Sequence, residues 1–147
     1  MNEWPDDKIR STSLRYINQH AMAPSTWSAT VVGEMHPQLS QFFEMKSGES
    51  PIVSCFHSRS SWYVLSTRRV IGACRSQAVD VAILDVVKQD FGNFKGYGQT
   101  TIELMHLQIT GGQTVSLECE TGKASMASIY FLRYWAIKYP VLRKLKP

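Results

Sequence analysis

Cysteine is scarce in this chain. Cys55, Cys74 and Cys119 are odd in number, far apart, and form no C-x-x-C pair among the 147 residues. That pattern excludes a disulfide framework and a cysteine-paired zinc site, and it predicts a reduced, cytoplasmic protein. Metal-ligand spacing is missing as well, since no H-E-x-x-H or comparable motif occurs. Long apolar runs are absent: "IYFLRYWAI", the longest, is broken by Arg133 and covers about half a membrane span. The first residues, "MNEWPDDKIR", carry acids where a signal peptide has a basic and then an apolar run. Charged residues make up only 19%, and the net charge of +4 is too small to imply a nucleic-acid partner. There is no internal repeat and no low-complexity tract.

What is present is apolar text, 44% of the chain, in a length suited to one domain with its own core. Residues 1–34 read as an extension, with a helix started by Asp6 and Asp7 and running to about His20, then a short strand in "TWSATVV". The segment "HPQLSQFFEMK" predicts a second helix, with Pro37 at its first position and Leu39, Phe42 and Phe43 on one side. From Pro51 onward strands follow one another. "IVSCFHS", "WYVLS" and "RVIGAC" are joined by short turns, and "VDVAILDVV" makes a fourth strand. "KQDFGNFKGYGQ" reads as a glycine-rich loop, and "TIELMHLQI" and "QTVSLECE" as a hairpin about Gly111-Gly112. A helix from Thr121 or Gly122 to Tyr139 closes the unit at Pro140, and residues 141–147 form a basic tail. Its apolar surface is wider than sheet capping requires, which predicts a second contact with the extension or with a partner.

This order describes an α+β, mostly antiparallel protein: an orthogonal β-sandwich or partly open barrel capped by a C-terminal helix. The hairpin "WYVLSTRRVIG", together with the final helix, resembles the pleckstrin-homology-like superfold in its bacterial and GRAM-type form. The resemblance spans about Pro37 to Tyr139. It implies a binding scaffold and no catalytic residue, with Thr67 as the turn threonine and Arg68-Arg69 as the basic pair after it. Because many functions share this superfold, the ligand has to be argued from the residues themselves.

Several residues invite chemistry. Asp90-Phe91-Gly92 spells the magnesium tripeptide of kinases, but no glycine-rich loop or H-R-D motif accompanies it. Cys55 and His57 lie two apart on one strand and share a face, yet no orienting group or oxyanion loop is evident, and a core cysteine beside a rim histidine is the simpler reading. No metal, no cofactor and no enzymatic activity are therefore expected. The candidates for partner contact fall into three groups. Arg59, Arg68 and Arg69, with Arg75, Lys88 and Lys95 nearby, are the sort of cations that hold anionic headgroups, although the turn "HSRSS" lacks the lysines such pockets favour. Phe91, Phe94 and Tyr97 sit in the glycine-rich loop, either as exposed anchors or as plugs of the open end. Trp135, Arg143 and Lys144 belong to the adhesive basic tail, where each cation near an anionic surface is worth about 1 kcal/mol.

These readings predict a non-enzymatic protein-binding module. A single-domain bacterial immunity protein that neutralises a toxin with an acidic cleft fits the basic surface. The alternative is an anionic-lipid-binding domain. Weak membrane contact and a homodimer are both compatible with the sequence.

Overall fold

The computed structural model describes residues 5–20, 27–95 and 101–133. Helix α1 (Asp6–His20) begins at the two acids, which face the positive end of the helix dipole. It is followed by β1 (Thr30–Val32), β2 (Pro51–Ser58), β3 (Ser61–Ser66), β4 (Arg69–Cys74), β5 (Gln77–Ala82), β6 (Val86–Asp90), β7 (Ile102–Ile109) and β8 (Thr114–Glu120). Helix α2 (Ser125–Arg133) follows a single 3-10 turn at Gly122–Ala124. The strands form two antiparallel sheets, one ordered β1-β2-β3-β4-β5 and the other β6-β7-β8. Among the described residues no ladder joins the sheets into a closed barrel. The class expected from the alternation, antiparallel sheets with a helix at either end of the chain, is the one observed.

The core lies between the sheets and under the two helices. Tyr63, Leu65 and Val70 from the first sheet meet Met105, Leu107, Leu117 and Cys119 from the second, with Phe131 and Leu132 of α2 above. Gly72 lies at a close approach both to its neighbour strand β3 and to Leu117 of the second sheet. A Cβ there would meet the Trp62 carbonyl oxygen, and would stand 3.0 Å from Leu117 Cδ2. The Tyr63 hydroxyl, fully buried, is satisfied by Ser128 Oγ of α2 at 2.7 Å. Helix α1 adds Ile9 and Ile17 to the same core and packs Tyr16 at a tilt against Tyr130 of α2, 5.7 Å between ring centroids. The wide apolar surface predicted for the last helix is thus shared between the sheets and the N-terminal helix.

Two expectations are corrected. The helix predicted over "HPQLSQFFEMK" is only one 3-10 turn, Leu39–Gln41. Its apolar residues do not share a helical stripe. They spread as an irregular cover over the outer face of the first sheet, where Met35, Leu39, Phe43 and Met45 pack on Trp62, Val64 and Ile71. For that reason every residue of β3 is buried, on both faces. The strand predicted as "VDVAILDVV" is likewise divided. The Ile83 amide turns back to donate to the Arg68 carbonyl at 2.9 Å, a 3-10 turn at Ile83–Asp85 redirects the chain, and β6 joins the other sheet.

Candidate functional site

The candidate arginines separate according to which end of the first sheet they occupy. The β3–β4 turn carries Arg68 and Arg69, and the chain's own acids occupy both. Arg68 holds Asp6 of α1 through Nη2 at 2.8 Å and Nε at 3.1 Å, while Thr67 Oγ1 donates to the same carboxylate at 2.7 Å. The hydrogen bonds from Arg68 outweigh the effect of burial and, with Thr67, hold the Asp6 carboxyl below its ordinary value. Arg69 grips Glu49 through Nε at 2.8 Å and Nη2 at 3.0 Å, and reaches Asp80 through Nη1 at 3.1 Å. The Glu49 side chain has no solvent exposure. Burial pushes its carboxyl up, but donors from Arg69, Ser66 and the Lys46 amide prevail and keep it below the ordinary value. This end of the sheet is a structural lock that ties α1 and the 46–50 segment to a β-turn.

At the opposite end stand the β2–β3 turn, with Arg59, and the β4–β5 turn, with Arg75. The Ser76 amide donates to the Ser60 carbonyl at 3.1 Å, so the two turns are fastened side by side. Both arginines are exposed, and neither forms an ion pair among the described residues. The Arg59 guanidinium lies over the Phe42 ring, 4.9 Å from its centroid. Phe42, 37% exposed, meets Trp62 edge-on at 5.7 Å and Phe56 at 6.3 Å, and His36 stacks on Phe56 at 5.6 Å. Burial lowers the His36 pKa from its ordinary 6.5, so this ring adds surface and no charge at neutral pH. The register pairs Trp62 with Ala73 and Ala73 with Ala78, which places the three side chains in one row on the same face. Beyond the indole the row therefore drops to a shallow alanine ledge that ends near Arg75.

The remaining candidates lie elsewhere. Phe91 is half-buried and packs against the main core, while the Phe94 carbonyl accepts the Gly122 amide at 2.6 Å and docks the loop to the start of α2. Lys88 is on β6 and Lys95 beside the Phe94 ring, both away from Arg59. Tyr97, Trp135, Arg143 and Lys144 fall outside the described residues. Phe42 and Phe56 did not figure among the sequence candidates. The signal for Phe42 was the apolar excess of "QFFEM", which the helical reading absorbed, and Phe56 read only as one residue of the strand "IVSCFHS".

The Cys55–His57 pair has the wrong electrostatics for a nucleophile. Burial pushes the Cys55 thiol up to about 12, and His57 Nε2, 3.4 Å from Cys55 Sγ, donates to the Glu118 carbonyl at 3.1 Å. A neighbouring cavity of about 400 Å³ is lined by His57, Ile102 and Glu120. Its one carboxylate, that of Glu120, already receives the Ser28 and Ala29 amides and Thr30 Oγ1 at 2.7–2.9 Å. Asp90 closes a local turn by accepting the Gly92 amide at 2.9 Å. Among the described residues no cluster of three or more acids, histidines or cysteines could hold a metal ion.

No family model matches the chain, and no curated protein matches it. Among solved structures it is similar to the crystal structure of a DUF1696 family protein with a pleckstrin-homology domain from Shewanella loihica PV-4. The identity is 11% and the TM-score 0.47, over 68% of this chain and 88% of that one. That likeness brings no ligand, partner or role to this chain. No helix among the described residues is long and apolar enough to cross a membrane.

Proposed function

We propose that the chain is a non-enzymatic, pleckstrin-homology-like protein-binding module that binds and neutralises a cognate toxin, as a bacterial immunity protein does. The observation that carries this reading is the fate of the arginines. Arg68 and Arg69, the pair best suited to an anionic headgroup, are consumed by Asp6, Glu49 and Asp80. What faces outward instead is an aromatic surface with Arg59, the residue types that dominate protein interfaces. Burial pushes the Cys55 and Cys119 thiols up to about 12, which disfavours either as a thiolate nucleophile. Blocking a toxin requires only a binding surface of this kind.

Co-expression with the protein encoded by the adjacent reading frame tests the proposal. The expected result is rescue of growth together with a stoichiometric complex on size-exclusion chromatography. Sedimentation with phosphatidylserine vesicles, at low and at physiological salt, tests the lipid alternative. Strong salt-sensitive vesicle binding without a protein complex would overturn the proposal.

A further inference from the structure

Resting on the protein-binding reading, we infer that the end of the first sheet formed by the β2–β3 and β4–β5 turns is the docking surface. Its occupant is an acidic segment of the partner, with carboxylates for Arg59 and Arg75 and an apolar side chain for the ledge beside Trp62.

Four observations converge. The first is charge. Of the four arginines on the turns of this sheet, Arg68 and Arg69 are neutralised internally, while Arg59 and Arg75 have no carboxylate among the described residues. The second is preorganisation. The Ser76–Ser60 backbone bond joins the turns, Ser58 Oγ lies 3.1 Å from Ser60 Oγ, and the Phe42 ring supports the Arg59 guanidinium. A cation held in place loses little freedom on binding.

The third observation is strain. Arg75 and Ser76 have φ of 51° and 70°, the only positive values among non-glycine residues described. A two-residue hairpin turn of this kind favours Asn-Gly, whereas Gly111-Gly112 meets the same demand in β7–β8 without side chains. Keeping an arginine in this conformation works against stability, the usual mark of a position held for another purpose. The fourth is shape. Phe42 stands proud of the surface, the row Trp62–Ala73–Ala78 falls away beside it, and an apolar side chain laid on the alanines would abut the indole.

The same geometry favours protein carboxylates over a polyphosphate headgroup. Planar guanidinium groups pair with carboxylates one to one and in bidentate fashion. Among the described residues no lysine lies on these two turns, and Glu118 accepts from Ser61 Oγ at the start of β3 at 2.7 Å. That buried-side carboxylate penalises a cluster of phosphates more than it does two separate carboxylates.

The probe is a short fluorescent peptide of Asp and Glu around a single Trp, read by anisotropy. It should bind in a salt-sensitive manner, and Arg59→Glu and Arg75→Glu should each weaken it about tenfold, the loss of one charge-assisted contact. Lys88→Glu, the same charge change on β6, should leave binding unaltered. Phe42→Ala should weaken binding while preserving the salt dependence. Arg75→Gly is the most telling variant. It should raise the melting temperature, because glycine relaxes the turn, and weaken the peptide. Peptide binding that survives both charge reversals overturns the surface. A toxin complex that forms although no acidic peptide binds overturns this inference and leaves the protein-binding reading intact. Phosphatidylserine vesicles that bind through Arg59 and Arg75 while the peptide fails to compete would overturn both.

Discussion

Replacing Arg69 by methionine keeps most of the aliphatic reach of the side chain and removes the guanidinium that grips Glu49. The carboxylate stays buried and loses two of its four hydrogen bonds, those from Nε and Nη2, while Ser66 Oγ and the Lys46 amide remain. Breaking a buried pair from one side costs about 3–5 kcal/mol, and the two surviving donors place this case near the lower figure. Asp80 also loses its partner, but its side chain is 60% exposed and water replaces the contact. For a chain of this size, a loss of about 3 kcal/mol lowers the melting temperature by roughly 6–12 °C.

The pH dependence supplies the stricter test. In the native protein the Glu49 carboxyl is held below its ordinary 4.5, so its contribution to stability is present above that value and lost as pH falls through the folded pKa. In Arg69→Met burial is no longer outweighed and the folded pKa rises. The cost is then greatest at neutral pH and is relieved as the carboxyl takes up a proton. Urea denaturation of both proteins from pH 7 to pH 4 should show the gap narrowing. The double variant Glu49→Met/Arg69→Met should recover most of the loss, since no charge is left unpaired. A loss below about 1 kcal/mol, or one that does not depend on pH, would refute the buried-pair argument.

Gly72→Ala should lower the stability read by urea denaturation by about 2 kcal/mol, because its Cβ meets the Trp62 carbonyl and the Tyr63 Cα, which cannot yield as a side-chain tip would. Ser13→Ala should stabilise by about 1 kcal/mol in thermal melts, since Ser13 Oγ is buried without a hydrogen-bond partner among the described residues. Asp6→Asn should speed amide exchange in the first turns of α1. In the parent protein the same loosening should appear only in acid, as pH falls below the ordinary 3.8 toward the depressed pKa of Asp6. At pH 8 a disulfide reagent should leave Cys55 and Cys119 unmodified in the native state, with both thiols pushed up to about 12 by burial, and should titrate three thiols in denaturant.

Strands were legible wherever one face is buried and alternation survives, as in "TVSLECE", where Leu117 and Cys119 are buried between half-exposed neighbours. Legibility failed where one residue's direction is set by a distant one. Phe42 and Phe43 fit a helical stripe on paper, but each takes its own bearing on Trp62, which lies about 20 residues further on. The basic pair Arg68-Arg69 looked like a ligand site because nothing local shows that its counter-ions are Asp6 and Glu49. Arg59 and Arg75, by contrast, are brought together by strand register alone. A correct reading of the hairpins already implies that neighbourhood, even though no motif marks it.

From β2 to β5, and again from β6 to β8, chain order and spatial order coincide, so each pairing closes only a short loop. The contacts that fasten the N-terminal segment are of another kind. The Ser28 amide reaches Glu120 across 92 residues, and Arg68 reaches Asp6 across 62. Closing such spans is slow and gains nothing until the hairpins exist to receive them. The meanders should therefore assemble first, with β1 and α1 docking in a later step. On unfolding the order should reverse, with α1 and the edge strand β1 leaving before the β2–β5 and β6–β8 meanders are breached.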